Sequence, residues 1–211
     1  MRDRTTKFWE KDTQVRSTER IRDLAEVFTG QVQLQEMLDL VEPQASHITS
    51  RFLEPSCGNG NFLVAILKRK LARIASSHRD QIEYEFMCIM AVGSIYGIDI
   101  DAKNIKEARL RMKETLVEDY SLRLNTRIRS AAFDPVIESI LKTNIIRGDF
   151  INGMQRINLV EYSSPKPHWI SRKTYRLIDL ITYDSSSLWT CSAPIQSELP
   201  LVHFLEMQRN A

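Results

Sequence analysis

The sequence has 211 residues and lacks the features of membrane-spanning and disulfide-stabilised secreted proteins. Its longest apolar runs, such as residues 62–67, fall well short of the roughly 20 residues needed to cross a bilayer. The first residues are polar and contain no apolar core of a signal peptide. The three cysteines, Cys57, Cys88 and Cys191, are an odd number without framework spacing. We therefore expect a cytoplasmic protein with free thiols and no membrane association.

Other classes are excluded by motifs that are missing. The four histidines are isolated from the cysteines, so the sequence has no metal-ligand spacing and we expect no bound metal. Neither a phosphate loop ending in Gly-Lys nor a Gly-x-Ser-x-Gly nucleophile elbow occurs. Basic and acidic residues nearly balance at 29 and 27, and the net charge of +2 permits a nucleic-acid partner without requiring one.

What the sequence does contain is an alternation of strand-like and helix-like segments. Strands are predicted at 51–54, 94–100, 143–147 and 177–183, and helices at 31–41, 61–76, 81–92, after Asp101, and at 133–141. This order predicts an α/β fold with a parallel sheet and crossover connections. We expect three parts: a charged arm with helices at 1–50, an α/β domain at 51–184 and an irregular tail at 185–211.

The most informative segment covers residues 52–63, where a strand ends in Glu54 and a loop containing Gly58 and Gly60 leads into a helix. Glycine permits positive φ angles and lets a ligand approach the backbone closely. A carboxylate at the end of the strand can accept hydrogen bonds from an ammonium group. Because ligands of open parallel sheets bind at the carboxyl ends of the strands, this segment predicts a cofactor site.

Residues 52–63 also resemble motif I of the N6-adenine DNA methyltransferases, which reads acid, Pro, Ala or Ser, Cys, Gly, any residue, Gly. Residues 96–101 resemble motif II and residues 147–150 resemble motif III. Residues 26–29 are similar to motif X, although Gly30 stands where the family has proline. This motif order is that of the gamma class, which includes modification subunits of type I and type IIG restriction systems.

The resemblance covers most of the chain and implies a fold and a cofactor. The fold would be the Rossmann-like sheet of class I S-adenosylmethionine-dependent methyltransferases, incomplete in its C-terminal half and preceded by a helical extension. Thr29 would contact the methionine carboxylate and Glu54 the methionine amino group. The residues lining the methionine pocket would be Ser56, Cys57, Gly58 and Gly60.

The resemblance also assigns the nucleoside half of the cofactor. Asp99 would hold the ribose hydroxyls and Ile100 would pack on the adenine face. Asp149 would accept a hydrogen bond from the adenine amino group, and Phe150 would pack on the ring. Three positions of these motifs also have a purely structural interpretation. Cys57 would be a small buried residue, Phe150 a core residue and Asp101 a helix cap.

The catalytic motif departs from the family pattern. The family has Asp or Asn followed by two prolines and an aromatic residue, which accept the hydrogen bonds of the target amine and stack on the flipped base. Residues 184–189 of this sequence instead read Asp-Ser-Ser-Ser-Leu-Trp. Asp184 preserves the acceptor, whereas both prolines are missing and Trp189 lies two positions late. Asp184 is therefore the candidate catalytic residue.

A basic and aromatic segment at 162–176 contains no acids. Its side chains suit phosphate contact and base stacking, and the alternative is a solvated connection before the fourth predicted strand. The candidate nucleic-acid contacts are Lys166, Trp169, Arg172, Lys173 and Tyr175.

Together these features predict an S-adenosylmethionine-dependent DNA adenine-N6 methyltransferase with DNA as its partner. The alternatives are a catalytically impaired cofactor-binding subunit and an N-methyltransferase acting on RNA or protein. Only 28 residues follow the fourth predicted strand at 177–183, fewer than a full methyltransferase sheet needs. We therefore expect an exposed sheet edge there and a partner subunit that supplies the missing half.

Overall fold

The computed structural model describes residues 31–77, 80–124, 129–183 and 193–210. The fold is α/β, and these residues form two three-stranded sheets, one parallel and one antiparallel. The helices are α1 (Gln31–Asp39), α2 (Asn61–Ser77), α3 (Gln81–Gly93), α4 (Ala102–Leu124), α5 (Phe133–Asn144) and α6 (Leu177–Tyr183). The strands are β1 (Phe52–Glu54), β2 (Ile95–Asp99), β3 (Ile145–Arg147), β4 (Asn158–Lys166), β5 (Trp169–Arg176) and β6 (Ser197–His203). Short 3-10 helices cover Met154–Arg156 and Phe204–Asn210.

The parallel sheet has the order β1-β2-β3, with β2 in the middle. All five residues of β2 are buried, as expected for a central parallel strand covered on both faces. Helices α2 and α3 connect β1 to β2, and α4 and α5 connect β2 to β3. This arrangement of parallel strands and crossover helices is compatible with a Rossmann-like fold and confirms the predicted α/β class.

Side chains alternate across the parallel sheet and divide the core in two. Phe52, Ile95 and Ile145 point to the larger core, which also contains buried residues of helices α2 to α5. Their neighbours Tyr96 and Ile98 point to the smaller core, where the buried side chains of β4 and α6 cover them. The helices between the parallel strands therefore pack on one face of the sheet. The later chain covers the other face with part of β4 and with α6, and it also contributes Tyr162, Ile170 and Phe204 to the larger core.

The antiparallel sheet was not expected from the sequence. Residues 162–176, for which the alternative to a nucleic-acid contact was a solvated connection, instead belong to an antiparallel hairpin formed by β4 and β5. The turn between the two strands consists of Pro167 and His168, and His168 adopts a φ of +66°. Residues 197–203 were expected to be irregular and instead pair with β5 as β6. The tail prediction at 185–211 is therefore wrong for this stretch.

The fourth predicted strand is also wrong, because residues 177–183 form helix α6. Leu177 and Leu180 are buried and Ile181 is partly buried, which is helical spacing. The Arg176 guanidinium and the Asp179 carboxylate form an ion pair at 2.8 Å. A short apolar run fits a buried strand or a short helix equally well, and here the helix packs against the 3-10 helix Met154–Arg156 and against β5. No sheet edge lies at this segment.

Lys70 of α2 lies fully buried at the end of the parallel sheet where the strands begin. Its Nζ donates to the carbonyl oxygens of Ile48 at 3.0 Å and Ser50 at 2.5 Å, and to Ser94 Oγ at 2.7 Å. Burial lowers the pKa of the Lys70 amine to about 7. Lys70 thus joins the segments that lead into β1 and β2.

No helix within the described ranges combines the length and apolar character needed to cross a membrane.

Candidate functional site

The carboxyl ends of the three parallel strands meet at one edge of the sheet. Glu54 ends β1, Asp99 ends β2 and Arg147 ends β3, and Asp99 lies directly beside Arg147 in the register. The Cys57 amide donates to the Ile98 carbonyl at 2.9 Å, which brings the glycine loop over the end of β2. The Gly148 amide donates to the Asp99 carbonyl at 3.0 Å and draws in the loop after β3. The predicted cofactor residues on these three strand ends therefore share one edge.

The glycine loop has the backbone that its sequence predicts. Gly58 and Gly60 have φ angles of +52° and +86°, which side-chain-bearing residues rarely adopt. A Cβ on Gly60 would lie 2.9 Å from the Cβ of Ala108 on α4. Gly60 is thus required twice, for its conformation and for the close approach of the loop to α4.

Asp99 holds the loop rather than standing free for a ligand. Its Oδ2 accepts from the Gly58 amide at 2.9 Å, and its Oδ1 accepts from the Asp101 amide at 2.8 Å and from Asn104 Nδ2 at 3.3 Å. A carboxylate offers about four acceptor positions. Because three of them are used and Asp99 is buried, there is room for about one hydroxyl rather than for both hydroxyls of a ribose.

Glu54 has the opposite character. Its one hydrogen bond among the described residues is long, from the Ser56 amide to Oε1 at 3.4 Å. Glu54 forms no ion pair with any residue that the structure describes. Burial raises the pKa of its carboxyl group, and the Ser56 amide only partly offsets this. A half-buried carboxylate that pairs with no cation in the described part of the chain, beside a glycine loop, is suited to receive a cationic ligand group.

Cys57 fits the structural interpretation, that of a small buried residue. The side chain is buried and packs beneath β2, since a Cβ on Gly97 would lie 3.1 Å from its Sγ. Burial, together with the nearby charges of Asp99 and Glu54, raises the pKa of the Cys57 thiol to about 12. The thiol is therefore protonated at neutral pH and acts as a small packing group.

Apolar side chains border the acids at the same edge. Ile100 is 57% exposed directly after Asp99, and its carbonyl accepts from Arg147 Nε at 3.0 Å. Ile151 is 81% exposed after β3 and was not singled out in the sequence. Exposed apolar residues beside polar strand ends are what a flat aromatic ligand would need. Phe150, in contrast, packs partly against the smaller core, which favours its core role.

Asp149 shapes the loop after β3. Its Oδ1 accepts from the amides of Asn152 at 2.9 Å and Ile151 at 3.0 Å, and its Oδ2 accepts from Asn152 Nδ2 at 3.0 Å. The hydrogen bonds from Asn152, above all from its amide, lower the pKa of this exposed carboxyl group. Asp149 therefore remains charged and keeps acceptor capacity on Oδ2.

The two remaining predicted contacts lie outside the described residues. Thr29, the motif X candidate, and Asp184, the candidate catalytic acceptor, both fall in stretches that the structure does not describe. Their roles stay predictions.

The five predicted nucleic-acid contacts do not form one basic face. Lys166 Nζ lies 3.8 Å from the centroid of the Trp169 ring, and Lys173 forms an ion pair with Glu198 at 3.7 Å. Tyr175 Oη donates to Glu161 Oε2 at 3.2 Å. Arg172 is buried because adjacent strand residues point to opposite faces, and its Nη1 donates to the Met207 carbonyl at 3.5 Å. Lys173 and Arg172 are thus paired with β6 and with the 3-10 helix Phe204–Asn210 rather than exposed for a phosphate.

The contribution of α4 was missed in the sequence. Asn104, Glu107 and Arg111 lie on one face of α4 and hydrogen-bond to Asp99 or to the glycine loop. Their spacing of three and four residues was visible, but only the apolar positions of this helix were considered.

The described residues contain no group of three or more His, Cys, Asp and Glu side chains placed to hold a metal ion. Comparisons of the chain with protein-family models, curated proteins and solved structures find no match.

Proposed function

We propose that the chain binds S-adenosylmethionine at the carboxyl edge of its parallel sheet, in the manner of a DNA adenine-N6 methyltransferase. The observation that carries this proposal is Glu54, a half-buried carboxylate that pairs with no cation among the described residues and lies beside a loop with two positive-φ glycines. The α-ammonium group of the methionine moiety is the matching ligand group. A dinucleotide fits less well, because its pyrophosphate would face the Glu54 carboxylate and be repelled.

The nucleoside half of the cofactor would lie along the same edge. The remaining acceptor position of Asp99 would take one ribose hydroxyl, and the exposed Ile100 would pack on the adenine ring. Asp149 keeps an acceptor for the adenine amino group. This chain's residues would thus bind and orient the cofactor, and the methyl group would pass directly from the sulfonium to the acceptor nitrogen.

Methyl transfer to adenine requires acceptors for the hydrogens of the target amine, and Asp184 is our candidate for the first of them. The second candidate function is cofactor binding without independent transfer, as a subunit that depends on a partner chain. The serines at 185–187, which replace the prolines and the aromatic residue of the family pattern, favour this second function.

Binding is tested by isothermal titration with S-adenosylmethionine and with S-adenosylhomocysteine, which carry the same ammonium group. We expect Glu54→Gln to lower the affinity for both compounds about 10- to 100-fold, which is the range for the loss of a charged hydrogen bond. Glu161→Gln, on the hairpin, is the matched control and should bind as the wild type does. Wild-type protein that binds neither compound contradicts the proposal.

Transfer is tested separately by incorporation of tritiated methyl groups into DNA, with Asp184→Ala as the comparison. Incorporation that Asp184→Ala abolishes supports the methyltransferase. Binding without incorporation supports the cofactor-binding subunit, and incorporation that survives Asp184→Ala excludes Asp184 as the acceptor.

A further inference from the structure

Helix α4 holds the glycine loop along one stripe of its surface. Asn104, Glu107, Ala108 and Arg111 recur at helical spacing, so they face the same direction. Ala108 supports Gly60 from below, and Asn104 contacts the Asp99 carboxylate that binds the Gly58 amide. The loop is therefore held between the end of β2 and this one face of α4.

Arg111 supplies the strongest of these contacts. Its Nη1 donates to the Asn59 carbonyl at 3.0 Å and to Asn61 Oδ1 at 2.7 Å. Asn59 lies between the two glycines with positive φ, where the backbone would otherwise have the widest choice of conformations. A charged donor on this carbonyl fixes the orientation of the peptide group that joins Asn59 to Gly60.

Glu107 holds the side chain of the same residue. Its Oε1 accepts from Asn59 Nδ2 at 3.0 Å, and Asn59 is only 9% exposed. Asn59 Oδ1 has no hydrogen-bond partner among the described residues. The bond to Glu107 is therefore the contact on which the orientation of this buried amide depends.

We infer that Glu107 and Arg111 are positioning residues of the ligand site, which fix the glycine loop in the shape that binds the ligand. The inference rests on the proposed function, since the ligand is the one proposed for this loop. Neither residue has to touch the ligand. They lower the entropy that the loop loses on binding, because its conformation is already set in the free protein.

The test compares Arg111→Met with Arg109→Met, a matched control on the same helix. Arg109 also donates two hydrogen bonds to backbone carbonyls, those of Ile145 at 2.8 Å and Lys142 at 3.1 Å, but at the start of β3. We expect both variants to lose similar stability in urea. Only Arg111→Met should lower the affinity for S-adenosylhomocysteine. We expect a loss of about tenfold, which corresponds to about 1.4 kcal/mol.

Two conservative variants refine the test. Arg111→Lys keeps a charged donor and should recover part of the affinity, and Glu107→Gln keeps an acceptor oxygen for Asn59 Nδ2 and should bind nearly as the wild type does. Glu107→Ala should weaken binding. Equal affinities in Arg111→Met and wild type, or equal losses in Arg111→Met and Arg109→Met, would overturn the inference.

The inference and the proposed function fail in different ways. If the wild-type protein does not bind S-adenosylhomocysteine, the proposed function fails, and the loop is then judged by amide hydrogen exchange at residues 57–61. Exchange that is faster in Arg111→Met than in Arg109→Met supports the positioning role without any ligand. Unchanged exchange overturns it.

Discussion

The two acids that end β1 and β2 differ in what they contribute to the folded chain. Three donors from three parts of the structure hold the Asp99 carboxylate. Glu54 receives one long bond, and its burial raises its pKa. Asp99 therefore stabilises the site, whereas charged Glu54 costs stability, which is a common property of residues kept for binding.

Glu54→Gln should raise the stability of the unliganded protein at pH 7. The pKa of Glu54 is raised on folding, so the folded state holds a proton that the unfolded chain loses above pH 4.5. The contribution of Glu54 to the free energy of unfolding is therefore fully present below pH 4.5. It is lost as the pH rises through the pKa that Glu54 has in the folded protein. Urea denaturation at pH 7 measures the difference, with Glu161→Gln as control. A Glu54→Gln protein less stable than wild type contradicts the argument.

For Lys70 we expect the free energy of unfolding to depend on pH in the opposite direction. Burial lowers its pKa from 10.5 to about 7, so between these values the unfolded chain keeps a proton that the folded protein releases. The free energy of unfolding of wild type should therefore rise relative to Lys70→Met, by up to roughly 1.4 kcal/mol per pH unit between pH 7 and pH 9. A pH-independent difference for Lys70→Met would contradict the prediction.

At the scale of elements, the sequence predicted best where local signals and burial agree. The long helix at 61–77, the strand at 95–99 and the glycine loop all lie within a residue or two of their predicted positions. Helix α6 and the antiparallel strands were missed because short apolar or mixed runs take their form from distant partners. Leu177, for example, donates its amide to the Ile157 carbonyl at 2.8 Å, a contact that no local pattern encodes.

Helix α6 makes a prediction that separates it from a strand. In a strand, residues 180 and 182 would share one face, whereas in the helix Leu180 is 3% exposed and Thr182 is exposed. Leu180→Ala should cost about 2–5 kcal/mol and Thr182→Ala less than about 0.5 kcal/mol. Chemical denaturation of both variants tests this, and similar losses would contradict the helix.

Over the whole molecule, the two sheets are joined by shared packing. Tyr96 of the parallel sheet donates its hydroxyl to the Val160 carbonyl of β4 at 3.1 Å. Tyr162 of β4 packs against Gly93 and its hydroxyl lies 2.8 Å from Thr143 Oγ1. Neither sheet has a core of its own, so we expect the described parts of the chain to unfold together.

Gly93→Ala tests this coupling. A Cβ on Gly93 would lie 3.0 Å from the Cβ of Tyr162, and relieving this contact should cost about 1–3 kcal/mol. Hydrogen exchange of the most protected amides should show that the free energy of opening falls equally in β2 and β5. Leu122→Ala, at a side chain that is 74% exposed, is the neutral control. Loss confined to β4 and β5 would show that the sheets unfold separately.

The attachment of Asp99 has a consequence for how this sequence can change over generations. Because Asp99 connects the glycine loop, the turn after β2 and α4, its replacement harms folding whether or not a ligand binds. A lineage that had lost the ligand would still retain Asp99, whereas among the described residues only one long hydrogen bond, from the Ser56 amide, would favour keeping Glu54. Among future homologous sequences, the acid at position 54 is therefore the marker of a functioning site, and the acid at position 99 marks only a folded one.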